Sequence, residues 1–423
     1  MDLNRVVIVG ASLAGLRAAE TLRNEGFDGE VVIVGAEPHR PYDRPPLSKK
    51  LLAGEWDPDR IELRRPDTFD ELDVEWRFGV AGAGLDPSAG ILHLTDGTDL
   101  AYDGCIIATG ATCRRLPEQS RYGHVHEVRT LDDAMRLRAE IADGGKHVVV
   151  IGAGFIGLEV AATAKQLGND VTVLEGGAAP LMRGLGEEMG AAIGSMHEAR
   201  GVVLRCGVQV DRLHDDGVLL AAPGGETDSE GELIEADVVV VGIGVVPATA
   251  WLGDSGLQLR DGVVCDETLN ALDADGNVVA GVYAAGDVLR WPNSLFGEEM
   301  RVEHWTNAAE QGSAAATNLL SAAGRRAEEP EAYAPVPFFW SDQFDIRVQF
   351  LGRAAADDQV EVVLGSTEPD EEGAVKFLAL YRKGDRVHGA LGVNAPRWVM
   401  KMRGMLIEQA SWDAALAHAA TLV

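Results

Sequence analysis

Thiols are scarce in this chain: its 423 residues include four cysteines, Cys105, Cys113, Cys206 and Cys265, with no Cys-x-x-Cys pair and no metal-type spacing. That excludes a disulfide framework and a zinc site, and it predicts a reducing compartment. Positive charge is also short. Lys and Arg number 37 against 67 Asp and Glu, and a formal net charge of −30 repels nucleic acid and anionic lipid as partners of the whole molecule. The most apolar stretch, 236–248, is interrupted by glycines and too short for a bilayer. The chain opens Met1-Asp-Leu-Asn-Arg5 without a cationic leader and apolar run, so a soluble, cytoplasmic protein is expected. Its length and apolar share are enough for two or three domains with real cores.

What the chain does have is a repeated unit. A β-branched run at 5–9 leads into Gly10-Ala-Ser12-Leu13-Ala14-Gly15, then an amphipathic stretch over 14–25, a second β-branched run at 31–34 and the acid Glu37. The same order returns at 147–151, Gly152-Ala-Gly154-Phe155-Ile156-Gly157, a helix over 156–167, a run at 171–174 and Glu175. Glycines at these spacings allow a tight turn and close approach of a pyrophosphate to a helix N-terminus, where free N–H groups and the helix dipole favour negative charge. Each closing acid is placed to accept hydrogen bonds from an adenosine ribose. Ser12 stands where the second copy has Gly154. Two nucleotides held by one enzyme usually exchange electrons, which makes a flavin and a nicotinamide the natural pair.

Between the copies lie a Pro-rich, charged loop at 38–50, a strand at 104–108 running into Thr109-Gly110, and a helix over 131–143 with Thr130 as its cap. Strands are expected within 236–247 and at 281–285, and a solvated hairpin tip at 224–232. Beyond residue 323 apolar and polar residues alternate, as at 346–351 and 377–381, which argues for antiparallel strands in a small α+β domain. Each cysteine reads as a small core filler.

The blocks Gly10 to Gly15 with Glu37, Pro41-Tyr-Asp-Arg44-Pro45-Pro-Leu-Ser-Lys49, Ala108-Thr109-Gly110, Gly152 to Glu159, Gly242-Ile243-Gly244-Val-Val-Pro247, Tyr283-Ala-Ala-Gly286-Asp287, Glu303-His304-Trp305-Thr-Asn-Ala308 with Gln311, and Phe338-Phe-Trp340-Ser-Asp-Gln343 run in order along nearly the whole chain. In these the chain resembles the putidaredoxin reductase-like group of FAD-dependent, NADH-linked ferredoxin reductases that serve bacterial oxygenases. The resemblance implies a glutathione-reductase-like α/β fold: an FAD-binding domain at 1–112 and 247–322, an NAD-binding domain at 113–246, and a C-terminal α+β domain at 323–423. It assigns Gly10, Ser12, Leu13, Ala14, Gly15, Glu37, Arg44, Pro45, Lys49, Ala108, Thr109, Gly110, Gly286, Asp287, Glu303, His304, Trp305 and Trp340 to FAD. To NADH it assigns Gly152, Gly154, Phe155, Ile156, Gly157, Glu159, Glu175, Arg183, Gly242, Ile243 and Gly244. Lys49 and Glu159 are the expected catalytic pair of side chains, and no metal ligand is implied. The Glu175 carboxylate favours a free ribose 2′-hydroxyl over a 2′-phosphate, hence NADH over NADPH.

Relatives of this architecture that reduce disulfides carry a Cys-x4-Cys pair after the first nucleotide unit. The corresponding stretch here, 43–48, holds no thiol. Electrons are therefore expected to pass directly to a 2Fe-2S ferredoxin, with rubredoxin or another small acceptor as an alternative. A redox-responsive interaction protein like apoptosis-inducing factor is a further alternative, against which the missing leader and acidic balance count. Lys376, Arg382, Lys383, Arg386, Arg397, Lys401 and Arg403 face one acid, Asp385, within 376–403, which suggests a basic docking face for an acidic ferredoxin. A monomer is expected by resemblance.

Overall fold

The computed structural model describes residues 2–222, 231–355, 357–371 and 373–422. They divide into two compact units: Met1–Asp43, Glu62–Thr112 and Val246–Pro337 in the first, and Arg44–Ile61, Cys113–Val245 and Phe338–Val423 in the second.

The first unit is built on Val6-Val-Ile-Val9, every residue of which is buried. A run with no polar face suits a strand covered on both sides, and it lies inside a sheet that is parallel except for one antiparallel edge strand, Asn270–Leu272. Among the described residues that sheet has six strands, in the order Asn270–Leu272, Val278–Ala284, Gly104–Ile107, Arg5–Val9, Glu30–Gly35 and Glu75–Phe78. Val6 lies opposite Val31 on one side and Gly104 on the other, in parallel register. The helix Leu13–Asn24 buries Ala14, Leu16, Ala18, Ala19 and Leu22, an i, i+4 stripe, and packs beside the helix Trp305–Ala322.

The second unit repeats the plan. His147–Ile151 pairs in parallel with Asp170–Glu175 and Val238–Val241, and Val203–Cys206 and Val125–His126 complete a five-stranded sheet among the described residues. Thr130 caps the helix Leu131–Ile141 with a reciprocal box: its side chain accepts from the Asp133 amide, and Asp133 accepts from the Thr130 amide. In the same unit the tail forms an antiparallel sheet in the order Phe338–Gln343, Ile346–Gly352, Arg386–Val393, Lys376–Lys383 and Gln359–Ser366. The stretch beyond residue 323 is thus an antiparallel sheet, but its inner strands Lys376–Lys383 and Arg386–Val393 are buried on both faces instead of alternating, and the helices Pro396–Lys401, Arg403–Ile407 and Trp412–Ala419 follow it and pack on Arg386–Val393. The expected hairpin tip at 224–232 lies outside the described residues as far as residue 230. No helix among the described residues is long and apolar enough to cross a membrane.

Candidate functional site

In the first unit the strand Arg5–Val9 ends at Gly10, whose φ of +129° suits glycine alone. A Cβ there would lie 2.1 Å from the Ala108 carbonyl oxygen, and one at Gly15 would lie 1.9 Å from the Gly10 oxygen. The turn is therefore as tight as a chain can make it. It delivers the N-terminus of the helix Leu13–Asn24 with an extended Ser12 as N-cap and no side-chain bond from Ser12 to the first amides. Those N–H groups have no acceptor within their own helix, and the dipole adds to their pull on an anion. Glu37 at the end of the next strand accepts from the hydroxyl of buried Tyr42.

Around the same strand ends the first unit gathers Ala108, Thr109, Gly110, Gly286, Asp287, Glu303, His304 and Trp305. Thr109 Oγ1 donates to the Ala248 carbonyl at 3.0 Å. The Gly286 amide donates to Gln311 Oε1 at 2.9 Å, which leaves Gln311 Nε2 buried without a partner among the described residues. Trp305 begins the helix Trp305–Ala322, is 37 % exposed and donates from its indole nitrogen to Asp43 Oδ1 at 2.7 Å. It is not core packing, since its ring stays accessible and its N–H is fixed by a carboxylate.

In the second unit Gly152, with φ of +100°, stands with its would-be Cβ 2.4 Å from the Gly242 oxygen, and that of Gly157 lies 2.1 Å from the Gly152 oxygen. Gly154 differs: a Cβ there meets nothing within 4 Å. It is the uncapped N-cap of the helix Phe155–Gln166, so the space above it is open for a ligand. Glu175 is held by two backbone amides, Ala153 on Oε2 and Gly177 on Oε1, each at 2.7 Å. Arg183 lies near Gly244, where a Cβ would come within 3.9 Å of its guanidinium. Ile156 is 47 % exposed on the first turn of the helix, an apolar surface and not helix core.

The two catalytic candidates meet. Lys49 Nζ lies 2.6 Å from Glu159 Oε2, and Ser48 Oγ donates to the same oxygen at 2.5 Å. Ser341 Oγ donates to Glu159 Oε1 at 2.6 Å. Glu159 is 3 % exposed, so it is no solvent-facing helical residue. The helix Phe155–Gln166 buries every residue from Gly157 to Ala164, leaving no side on which an acid could reach water. A carboxylate so placed persists because an ammonium and two hydroxyls surround it. Ser48 and Ser341 were not assigned roles from sequence. The signal that could have found this cluster is an acid inside an eight-residue small and apolar run, which demands partners.

Arg44 donates to the Arg129 carbonyl. Phe155 and Phe339 pack edge to face with centroids 4.7 Å apart, and Trp340 stacks near Phe338 at 6.1 Å. Arg44, Pro45, Lys49 and Trp340 belong to the second unit, whereas the other residues the resemblance assigns to FAD belong to the first.

The cysteines require one correction. Cys105 and Cys265 are buried, but Cys113 and Cys206 are half-buried in strands and are not core fillers; short strands at a sheet margin leave one side open. Burial pushes the thiols of Cys105 and Cys113 up, to about 12 and about 11, and that of Cys265 well above its ordinary value. All four are free, and a raised thiol is a poor nucleophile.

Comparison with known proteins agrees with this geometry. Residues 4–312 match the pyridine nucleotide-disulphide oxidoreductase family, and residues 338–421 match the reductase C-terminal family. The anthranilate 1,2-dioxygenase system ferredoxin–NAD(+) reductase component of Burkholderia cepacia is 40 % identical over 417 residues, covering 98 % of this chain and 96 % of that one. A putidaredoxin reductase of Pseudomonas putida is 34 % identical, covering 93 % and 89 %. The crystal structure of the covalent putidaredoxin reductase–putidaredoxin complex superposes with a TM-score of 0.85 at 30 % identity, covering 99 % and 98 %. With two nucleotide-type turns, no dithiol and matches that span its length, the chain belongs to the pyridine nucleotide-disulphide oxidoreductase family and ends in that family's reductase-type C-terminal domain.

Proposed function

We propose that this chain is an NADH-dependent, FAD-containing reductase that passes electrons to a 2Fe-2S ferredoxin serving an oxygenase; the Burkholderia cepacia relative is named as the ferredoxin–NAD(+) reductase component of a dioxygenase system. The observation that carries the reading is the Lys49–Glu159 pair: the 44–49 segment, thiol-free, offers an ammonium held by a buried carboxylate. FAD, held by the residues named below, would supply the change from two-electron uptake from NADH to one-electron delivery.

The residues present suit both groups. Gly10, Ser12, Leu13, Ala14 and Gly15 form an uncapped helix start for the FAD pyrophosphate, with Glu37 for its ribose and Ala108, Thr109, Gly110, Gly286 and Asp287 along its length. Glu303, His304 and Trp305 bring a second helix start, whose positive end favours charge on the reduced ring. Gly152 to Gly157 would hold the NADH pyrophosphate over the open Gly154, with Gly242, Ile243 and Gly244 beside it. Glu175, fixed by two amides, accepts from a free ribose hydroxyl and repels a 2′-phosphate, and Arg183 stands on the same segment. Ile156 and Phe155 give the nicotinamide an apolar surface. Lys49 supplies positive charge where reduction makes the flavin negative, and Glu159 keeps that charge in place. Arg44, Pro45 and Trp340 complete the flavin contacts by resemblance. The domain limits follow the same reading: FAD on 1–112 and 247–322, NADH on 113–246, and 323–423 for the partner.

For docking we favour the helices Pro396–Lys401 and Arg403–Ile407. Arg397, Lys401 and Arg403 are exposed there, and so are the apolar Met400 and Ile407, at 43 % and 53 %. Lys376 and Arg382 are instead engaged over Trp398 and Trp412. A basic rim around an apolar centre suits a small acidic protein. A cytoplasmic monomer is the matching physical state.

The test begins with the visible spectrum of the purified protein. A yellow protein that bleaches anaerobically with NADH at far lower concentration than with NADPH, and then reduces a 2Fe-2S ferredoxin faster than rubredoxin or a quinone, bears the proposal out. A colourless protein that refuses added FAD sinks it.

A further inference from the structure

Behind Glu159 runs a row of buried polar groups that neither nucleotide explains. Ser341 Oγ, 2.6 Å from Glu159 Oε1, accepts from Gln343 Nε2 at 3.0 Å, and Gln343 Oε1 lies 2.7 Å from His197 Nε2. Ser341, Gln343 and His197 are all fully buried. They come from two elements: the strand Phe338–Gln343, whose alternate residues Phe339, Ser341 and Gln343 share one face, and the helix Met182–Glu198. Phe339 packs on Phe155 at the start of the helix that carries Glu159, which seats this face of the strand against it.

The row has a direction. Glu159 faces Lys49 through Oε2 and is a carboxylate, so its other oxygen can only accept. Ser341 must therefore donate to it, which leaves the serine oxygen to receive a proton from the amide of Gln343. The glutamine carbonyl is then turned to His197, whose Nε2 must carry hydrogen. Nδ1 is the bare nitrogen of that neutral ring, and it is buried without a partner among the described residues. Burial holds the imidazole below its ordinary value, in keeping with a neutral ring. Three donors thus point one way, toward one oxygen. Apolar side chains of similar size would pack this space as well; a polarised row is of use only to a charge at its end.

We propose that Ser341, Gln343 and His197 are positioning residues, a one-way donor chain that fixes the Glu159 carboxylate and, through it, the Lys49 ammonium. That the fixed ammonium serves hydride delivery rests on the function proposed above, whereas the chain itself does not.

The experiment measures the two separately. Purified holoprotein is treated briefly with acetic anhydride, and acylation of Lys49 is read by peptide mass spectrometry against exposed Lys401. Ser341→Ala and Gln343→Leu raise the Lys49:Lys401 ratio about tenfold, the scale of losing a hydrogen bond to a charged group. Tyr381→Phe, which removes a 2.7 Å hydrogen bond to the Leu185 carbonyl from the same sheet, leaves the ratio unchanged. In single turnover the first two variants lose about tenfold in the limiting rate of NADH oxidation while the concentration for half-saturation stays within about twofold. Ser341→Cys, nearly the same size with a weaker donor, gives a smaller shift and replaces the alanine variant should that one not fold. A wild-type labelling ratio in every folded variant overturns the proposal. Raised labelling with an unchanged limiting rate keeps the donor chain and instead removes Lys49 from the reaction.

Discussion

The two glycine turns share a backbone and differ in what surrounds it. Gly10 and Gly152 are demanded by the protein itself, since each would drive a Cβ within 2.4 Å of a neighbouring carbonyl. Gly154 is not, because a side chain there meets nothing, and the first turn has Ser12 at that place. The acids differ as well: Glu37 takes the hydroxyl of Tyr42, whereas Glu175 takes two main-chain amides. One fingerprint therefore contains two kinds of glycine, those that close the turn and one whose smallness the fold itself does not require.

Breaking the first kind gives the largest effect. Gly10→Ala and Gly152→Ala each combine a left-handed backbone with a main-chain clash and cost about 3 kcal/mol or more, seen as a large drop in melting temperature and, for Gly10→Ala, loss of bound flavin. Gly154→Ala keeps the melting temperature within about 2 °C and retains flavin, while its KM for NADH rises about tenfold. If Gly154→Ala melts as early as Gly152→Ala, the distinction between the two glycines is wrong. Glu175→Ala comes next: the KM for NADH rises about tenfold and the preference over NADPH shrinks by a similar factor, checked by steady-state kinetics with both cofactors.

A third contrast is set by acid. Among the described residues the buried histidines, His197 and His388, both lie in the second unit, and burial lowers the pKa of His197 and of half-buried His126 in the same unit. The unfolded chain then takes up protons first as pH falls through about 6.5, so this stabilisation is present above that value and drains away below it. Hydrogen-exchange protection, taken relative to the intrinsic rate at each pH, should fall in the second unit before the first between about pH 7 and 5.5. The smallest effect is expected for Ser12→Gly, which touches no side-chain bond to its helix; flavin retention should stay within about twofold.

Much of this was legible in the letters. The paired turns sit on strands and helices at their expected places, Leu13–Asn24 and Phe155–Gln166 each beginning one residue earlier than periodicity suggested, because Ser12 and Gly154 are the caps. Thr130 was readable because a capping box is local, three residues wide. The setting of Glu159 was not. Its partners Lys49 and Ser341 stand 110 and 182 residues away, and a glutamate on a helix usually faces water. The half-exposure of Cys113 and Cys206 was hidden for a related reason: which side of a short strand is covered depends on neighbours that spacing does not name.

The helix that carries Glu159 has its own sheet on one side and the strand Phe338–Gln343 on the other. In sequence the reductase C-terminal region is a separable module, beginning at residue 338. In space the seam is elsewhere. Shortening the chain at residue 337, or exchanging the tail for that of a relative to change acceptor, would strip the cover from an apolar helix and leave a buried acid one hydroxyl short. Acceptor engineering in this scaffold therefore has to keep the first strand of the tail and cut after it, with Phe339, Ser341 and Gln343 treated as part of the nucleotide unit they complete.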